Sequence, residues 1–337
     1  MKLSKRTEYL QASPLRKLMP YANSAKEKGI KIYHLNIGQP DIETPKVILD
    51  AYHNFDKKVV AYGPSQGLLE YRKKLAKYYV SNNINVDEDD IIVTTAGSEA
   101  LIFALLATCD AGDEVIIPEP FYTNYNGFAG IAGVNISAVT TYAKDGFALP
   151  NRELFEEKIT SKTKAIMLCN PGNPTGVVYT KDEVQMVVDI AKKHNLFVIS
   201  DEVYREFVYD GNKHTSILHY DEIYDRAILV DSVSKRYSAC GSRIGCIISK
   251  NKEVMAGVLK YAMARLCPPT IDQIAASAAT SLGNDYFSEV ISEYEGRRNI
   301  VFDALSKIDG IVCKKPQGAF YVVASLPIDD AEDFVKW

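Results

Sequence analysis

"AILVDSVSKRYSACGSRIGCIIS", Ala227 to Ser249, begins and ends on short apolar runs, Ala227–Val230 and Cys246–Ser249. Between them lies a polar segment with Lys235 and, eight residues on, Arg243 between two glycines. Continuously apolar runs this short suit strands buried on both faces of a mostly parallel sheet. Working outward, the pattern recurs from about Asp90: Ile91–Thr95, Glu114–Pro118, Asn135–Thr141, Lys164–Cys169 and Leu196–Ser200. Helical stretches lie between several of them, among them Ser98–Cys109 and Lys181–Asn195. Strand and helix in alternation predict an α/β fold with helices on both faces of the sheet.

Polar, glycine- or aromatic-bearing loops follow five of these strands: "AGSEA", "EPFYTNY", "NPGNPTG", "DEVY" and "DSVSK". Ligands of open α/β sheets bind outside the carboxyl ends of the strands. The five loops therefore predict one site with several walls.

The totals narrow the class. At roughly 150 residues per domain, 337 residues predict about two domains, or one large α/β domain with an appendage. A hydrophobic share of 47% with 24% charged is ordinary for a globular chain. A net charge of −4 leaves no basic footprint for nucleic acid. The N-terminus carries no secretory pattern, and the longest strongly apolar run, Ala100–Ala107, is far short of the ~20 residues a membrane span needs. The expected location is the cytoplasm. Six cysteines without a CxxC pair and five scattered histidines argue against zinc or a disulfide framework, and predict buried reduced thiols. GxGxxG, P-loop, GxSxG and HExxH motifs are all absent.

The polar residues themselves suggest a chemistry. "TTAGSEAL" (Thr94–Leu101) is a strand–turn–helix whose free N–H groups at Ala96, Gly97 and Ser98 can hold a phosphate, although most such turns are plain helix caps. Arg243 offers a bidentate fork to the same phosphate, and Ser232 and Ser234 offer hydroxyls. Lys235 is then free for another task. Beside an arginine in a crevice it loses affinity for its proton, and a neutral amine condenses with an aldehyde. Pyridoxal phosphate has both an aldehyde and a phosphate, and its pyridine nitrogen needs a carboxylate partner. Asp201 is placed for that partner, Tyr204 and Asn173 for the ring hydroxyl, and Tyr122 for stacking. Each also has a structural reading: a turn cap for Asp201, core aromatics for the tyrosines, a proline turn for Asn173.

Taken together, "NPGNPTG", "DEVY", "SVSK" and "GSRIG" resemble the motif series of the class I/II aminotransferases, fold type I pyridoxal phosphate enzymes. "LNIGQPDIETP" (Leu35–Pro45) and "YGPSQGLLEYR" (Tyr62–Arg72) match the same family, and the resemblance runs from about Ser13 to Tyr321. It implies a Schiff base on Lys235, which also moves the substrate proton, with Asp201 and Tyr204 completing the catalytic set. It implies cofactor contacts from Ala96, Gly97, Ser98, Tyr122, Asn173, Ser232, Ser234 and Arg243. Gly38 and Asn173 are implied for the substrate. Tyr62 is implied for the neighbouring subunit's cofactor phosphate, hence a homodimer with a shared site. Glu119–Pro120 and Asn173–Pro174 are expected to be cis.

The implied layout is a large domain over 44–288 and a smaller α+β domain from 1–43 and 289–337. The implied reaction moves the amino group of an α-amino acid, with aspartate the leading donor, to a 2-oxo acid such as 2-oxoglutarate. Alanine, aromatic and methionine donors stay open, as does a carbon–sulfur β-lyase on the same fold. A sensor fused to a DNA-binding domain is disfavoured, since fewer than 40 residues precede "LNIGQPD". Relatives continue past Gly318–Val323 and there carry an arginine for the substrate carboxylate. The resemblance thus leads us to expect that the chain is a fragment, with a helix begun near Asp329 ending at Trp337; otherwise Arg265 is the alternative clamp.

Overall fold

The computed structural model describes residues 1–4, 7–8, 10 and 14–336. Ser13 and Trp337, the limits named above, lie outside the described residues. Seven strands form one sheet: β1 (Ile91–Thr95), β2 (Glu114–Glu119), β3 (Asn135–Thr140), β4 (Thr163–Cys169), β5 (Phe197–Asp201), β6 (Ala227–Ser232) and β7 (Ile244–Ile248). Their order is β1-β7-β6-β5-β4-β2-β3. Only β7 runs against its neighbours, pairing antiparallel with β1 and β6, and every other pairing is parallel.

All seven strands occur where the apolar runs predict them, with shifted ends around the Lys235 segment. β6 continues through Asp231 and Ser232 because these polar residues pair with Cys246 and Gly245 across the sheet. β7 begins at Ile244, upstream of the expected Cys246, and passes through Gly245. A Cβ there would lie 2.5 Å from the Ala96 carbonyl carbon and 2.7 Å from both the Asp231 oxygen and the Gly97 nitrogen. Glycine lets three backbones meet at this point.

Both faces of the sheet are covered. Ile91, Val93, Ile116, Ile166 and Leu168 belong to one core, packed with the helices Leu69–Ser81, Lys181–His194 and Thr270–Ala279. Ile92, Val115, Ile117, Ala165 and Met167 belong to the other, packed with Ala96–Thr108, Asn124–Ala132 and Lys252–Arg265. The alternation follows from successive strand side chains pointing to opposite faces. Helix Lys181–His194 is set by a capping box, in which Thr180 and Glu183 satisfy each other's backbone N–H, and ends at Asn195 with φ 54°.

The expected terminal helix forms over Ala331–Lys336. Of the six cysteines, Cys109, Cys169 and Cys246 are buried, whereas Cys240, Cys267 and Cys313 are half-buried; all six are unpaired. Among the described residues no helix is long and apolar enough to cross a membrane.

Candidate active site

Register brings the polar loops together. Cys169 pairs with Asp201, and Asp201 with Val230, so "NPGNPTG", "DEVY" and "DSVSK" leave the sheet side by side. β1 reaches the same edge, because Thr95 lies opposite Ile244 at the start of β7. The Ala96 N–H donates to the Arg243 carbonyl at 3.0 Å. Both residues are left-handed, with φ 60° at Ala96 and 54° at Arg243. Two such non-glycine residues in contact store strain of a kind that clusters at functional sites.

Helix Ala96–Thr108 starts here without a side-chain cap on its first turn. Its first N–H groups have no intrahelical partner, so Gly97 and Ser98 present donors and a positive dipole end to the crevice. The Arg243 side chain is exposed and bonds the Cys240 carbonyl at 3.1 Å. Ser232 and Ser234 are buried and hydrogen-bonded to each other at 2.8 Å. The Ser232 oxygen also accepts the Ser234 N–H and lies 2.9 Å from the Ile244 carbonyl, so Ser232 builds the turn that presents Ser234.

Lys235 extends from this turn and donates to the Gly38 carbonyl, with the Cys240 sulfur 3.8 Å from its Nζ. Burial lowers its proton affinity, and Arg243 adds a smaller push in the same direction. Asp201, at the end of β5, is 6% exposed. Its carboxylate accepts from the Tyr125 hydroxyl at 2.8 Å and from the Val203 N–H at 3.3 Å. Burial raises its pKa from 3.8 to about 6, only partly offset by those two bonds. No cationic side chain among the described residues lies within 4 Å of it.

Tyr204 is buried, 2.6 Å from the Tyr321 hydroxyl, and its oxygen accepts from Asn173 Nδ2 at 3.3 Å. Tyr122 lies edge-on to Tyr125, ring centres 5.5 Å apart. Glu119–Pro120 and Asn173–Pro174 are cis as expected, and Asn170–Pro171 is a third. Tyr62 stands apart, 83% exposed. Arg265 spends its guanidinium on Glu99, at 3.4 Å, and on the carbonyls of Ser65 and Val93.

Tyr125, Tyr321 and Cys240 escaped the sequence reading. Tyr125 lies in the first turn of helix Asn124–Ala132, and Tyr122 precedes that helix, so no shared helix face marked it. Tyr321 had no signal either, since its partner Tyr204 lies 117 residues away.

Comparison with known proteins agrees with this geometry. The family described as "Aminotransferase class I and II" matches residues 30–336. An aromatic-amino-acid aminotransferase of Thermococcus litoralis is 36% identical over 96% of this chain and 82% of its own. An aspartate aminotransferase of Bacillus subtilis is 32% identical over 100% of this chain and 88% of its own. In structure, an alanine aminotransferase of Pyrococcus furiosus superposes with a TM-score of 0.91 at 33% identity, covering 99% of this chain and 88% of that one.

A mostly parallel sheet with a half-buried lysine, a buried carboxylate and an uncapped helix start at one edge defines a fold type I transferase. The chain belongs to the class I and II aminotransferases, whose members depend on pyridoxal phosphate.

The residues present fit that cofactor. The buried Asp201 carboxylate calls for a cation, the uncapped helix start and Arg243 for an anion, and the half-buried Lys235 amine for a carbonyl.

Proposed function

We propose that the chain transfers the amino group of aspartate to a 2-oxo acid such as 2-oxoglutarate, with Lys235 as the covalent and proton-carrying residue. The observation that carries the catalytic part is a half-buried Lys235 at one edge with a buried Asp201 carboxylate that has no ion-pair partner among the described residues. Bound pyridoxal phosphate supplies an aldehyde for the amine and a protonated ring that withdraws electrons from the substrate Cα.

The chain's own residues do the rest. Asp201 holds a proton on the ring nitrogen, which its burial makes strongly favourable once opposite charges meet. Asn173 and Tyr204 hold the ring oxygen, and Tyr122 covers a ring face. Gly97, Ser98, Ser234 and Arg243 hold the phosphate, while the expected donor at Ala96 is spent on the Arg243 carbonyl and Ser232 builds the turn beneath Ser234. Partial burial makes Lys235 lose its proton readily, so its Nζ can take a proton from the substrate Cα and deliver it to the cofactor carbon on the other side of the substrate nitrogen. Gly38 offers backbone to the substrate carboxylate, beside the carbonyl that Lys235 Nζ contacts. The exposed Tyr62 suits a homodimer in which it reaches the partner's phosphate. We place the enzyme in the cytoplasm.

Several relatives named aspartate aminotransferase support the donor. The Thermococcus litoralis relative, named for aromatic amino acids, supports a second reading with an aromatic donor. A panel of amino donors with 2-oxoglutarate, the oxo-acid products identified, decides between them. Oxaloacetate as the dominant product supports aspartate; arylpyruvates in its place overturn it. Borohydride reduction followed by mass mapping should fix the cofactor to Lys235. A label on any other lysine overturns the catalytic assignment.

A further inference from the structure

The hydroxyl of Tyr321 lies between Tyr204 and Gly38. It lies 2.6 Å from the Tyr204 hydroxyl. It also fills the space where a side chain at residue 38 would stand, since a Cβ on Gly38 would lie 2.0 Å from it. The ring is edge-on to Tyr204, centres 5.5 Å apart. Its backbone is clamped from two sides. The N–H groups of Gln317 and Gly318 bond the Gly176 carbonyl at 2.8 and 2.9 Å, and the Ala319 N–H bonds the Phe207 carbonyl at 2.9 Å. Gly318 admits no side chain, for a Cβ would lie 2.7 Å from the Phe207 oxygen and 2.9 Å from Pro171. Tyr321 is therefore held against the loops that follow β4 and β5.

Counting donors decides what it does. The Tyr204 hydroxyl has one proton and two lone pairs. Asn173 Nδ2 takes one lone pair. If Tyr204 gives its only proton to the cofactor ring oxygen, the bond to Tyr321 survives only with Tyr321 as donor, into the second lone pair. A donor chain of this kind polarises its middle member.

We infer that Tyr321 is a positioning residue for the reaction, one that turns the Tyr204 proton toward the ring oxygen and strengthens that bond. The inference rests on the reading of Lys235 and Tyr204 given above.

The test is the pH midpoint of the visible absorbance change in substrate-free, cofactor-loaded enzyme. That midpoint reports the proton shared between the Lys235 nitrogen and the ring oxygen. A hydrogen bond donated to the oxygen disfavours protonation and lowers the midpoint. Tyr321→Phe keeps the ring and removes the donor, so the midpoint should rise by about 0.3–0.5 pH unit, a two- to threefold change in proton affinity. In a Tyr204→Phe background the same change should shift it by less than about 0.1. Gly38→Ala, which displaces the Tyr321 hydroxyl, should raise the midpoint as Tyr321→Phe does.

An unmoved midpoint in Tyr321→Phe, or equal shifts in both backgrounds, overturns the inference while leaving Lys235 in place. If the parent enzyme shows no visible band that borohydride fixes to Lys235, the reading beneath it fails, and the inference fails with it.

Discussion

Replacing Asp201 by asparagine should make the cofactor-free protein more stable, not less. Asp201 is almost fully buried, with two hydrogen bonds and, among the described residues, no ion-pair partner within 4 Å; Lys235 eases its charge only weakly from farther off. Burial lifts its pKa from 3.8 to about 6. The folded state thus holds this proton more tightly than the unfolded chain does. Stability from this group is complete below about pH 4, falls as pH rises from 3.8 to about 6, and stays lost above. At 1.36 kcal/mol per pH unit the loss approaches about 3 kcal/mol at pH 8. Asparagine does not titrate and keeps an oxygen for the Val203 N–H, while the Tyr125 hydroxyl must re-pair with the amide. Allowing for an imperfect bond there, a gain of about 1–2 kcal/mol is expected at pH 8.

Equilibrium urea unfolding of the stripped parent and of Asp201→Asn, at pH 4.5 and pH 8, measures it. The neighbouring Glu202, pushed by burial to about 7, titrates in both proteins and cancels in the difference. The advantage of the variant should grow with pH, then shrink or reverse when saturating pyridoxal phosphate gives the carboxylate a cation. A difference that is flat from pH 4.5 to 8 would falsify the reasoning, because the carboxylate would then already have its counter-charge within the chain.

Arg243→Gln should weaken pyridoxal phosphate binding by roughly 10- to 100-fold, the worth of a charge-assisted bond of ~1.5–3 kcal/mol, read by fluorescence titration of the stripped enzyme. Gly245→Ala should cost about 1–3 kcal/mol in urea unfolding and loosen the cofactor, since its Cβ would meet backbone atoms of Ala96, Gly97 and Asp231 at 2.5–2.7 Å. Asp231→Ala should cost about 3 kcal/mol or more, because it strips the buried Arg236 of one of its two carboxylate partners, leaving Glu206 at 2.9 Å. Asp231→Asn should recover part of that loss, as its one amide oxygen keeps an acceptor for the Ser232 N–H while the amide NH2 must re-pair with Tyr79.

The legible part of this protein was whatever lies within one strand and its following loop. A run such as "AILV" announces a strand buried on both faces, and the loop after it places Lys235 at a carboxyl end without any coordinate. The strand ends were less legible, for a polar pair such as Asp231–Ser232 reads as loop until Cys246 and Gly245 are known to lie opposite. What could not be read was any contact that closes over a long stretch of chain. Tyr204 meets Tyr321 across 117 residues, and Lys235 meets Gly38 across 197. Local pattern carries no information about which distant hydroxyl will face which.

The physical demands of the site explain why its least legible contacts lie closest to the chemistry. A buried carboxylate and a half-buried amine must each be held without being neutralised by a neighbour on the same segment, or neither would await a cofactor. Supports therefore come from elsewhere: Tyr125 for Asp201, from the helix after β2, and Tyr321 for Tyr204, from beyond residue 317. Both are phenols, able to hydrogen-bond a charged or polar partner without bringing a charge of their own at neutral pH. A guanidinium in the place of Tyr125 would satisfy Asp201 permanently and leave it no call for a ring cation. Tyr125→Phe tests that logic in the loaded enzyme. Loss of this one uncharged donor should cost Asp201 orientation rather than charge. The pyridoxal phosphate Kd should accordingly rise only a fewfold, about 1 kcal/mol, with the borohydride adduct still on Lys235. A rise of a thousandfold or more would mean that Tyr125 contributes far more than orientation, and the argument for uncharged supports would be wrong.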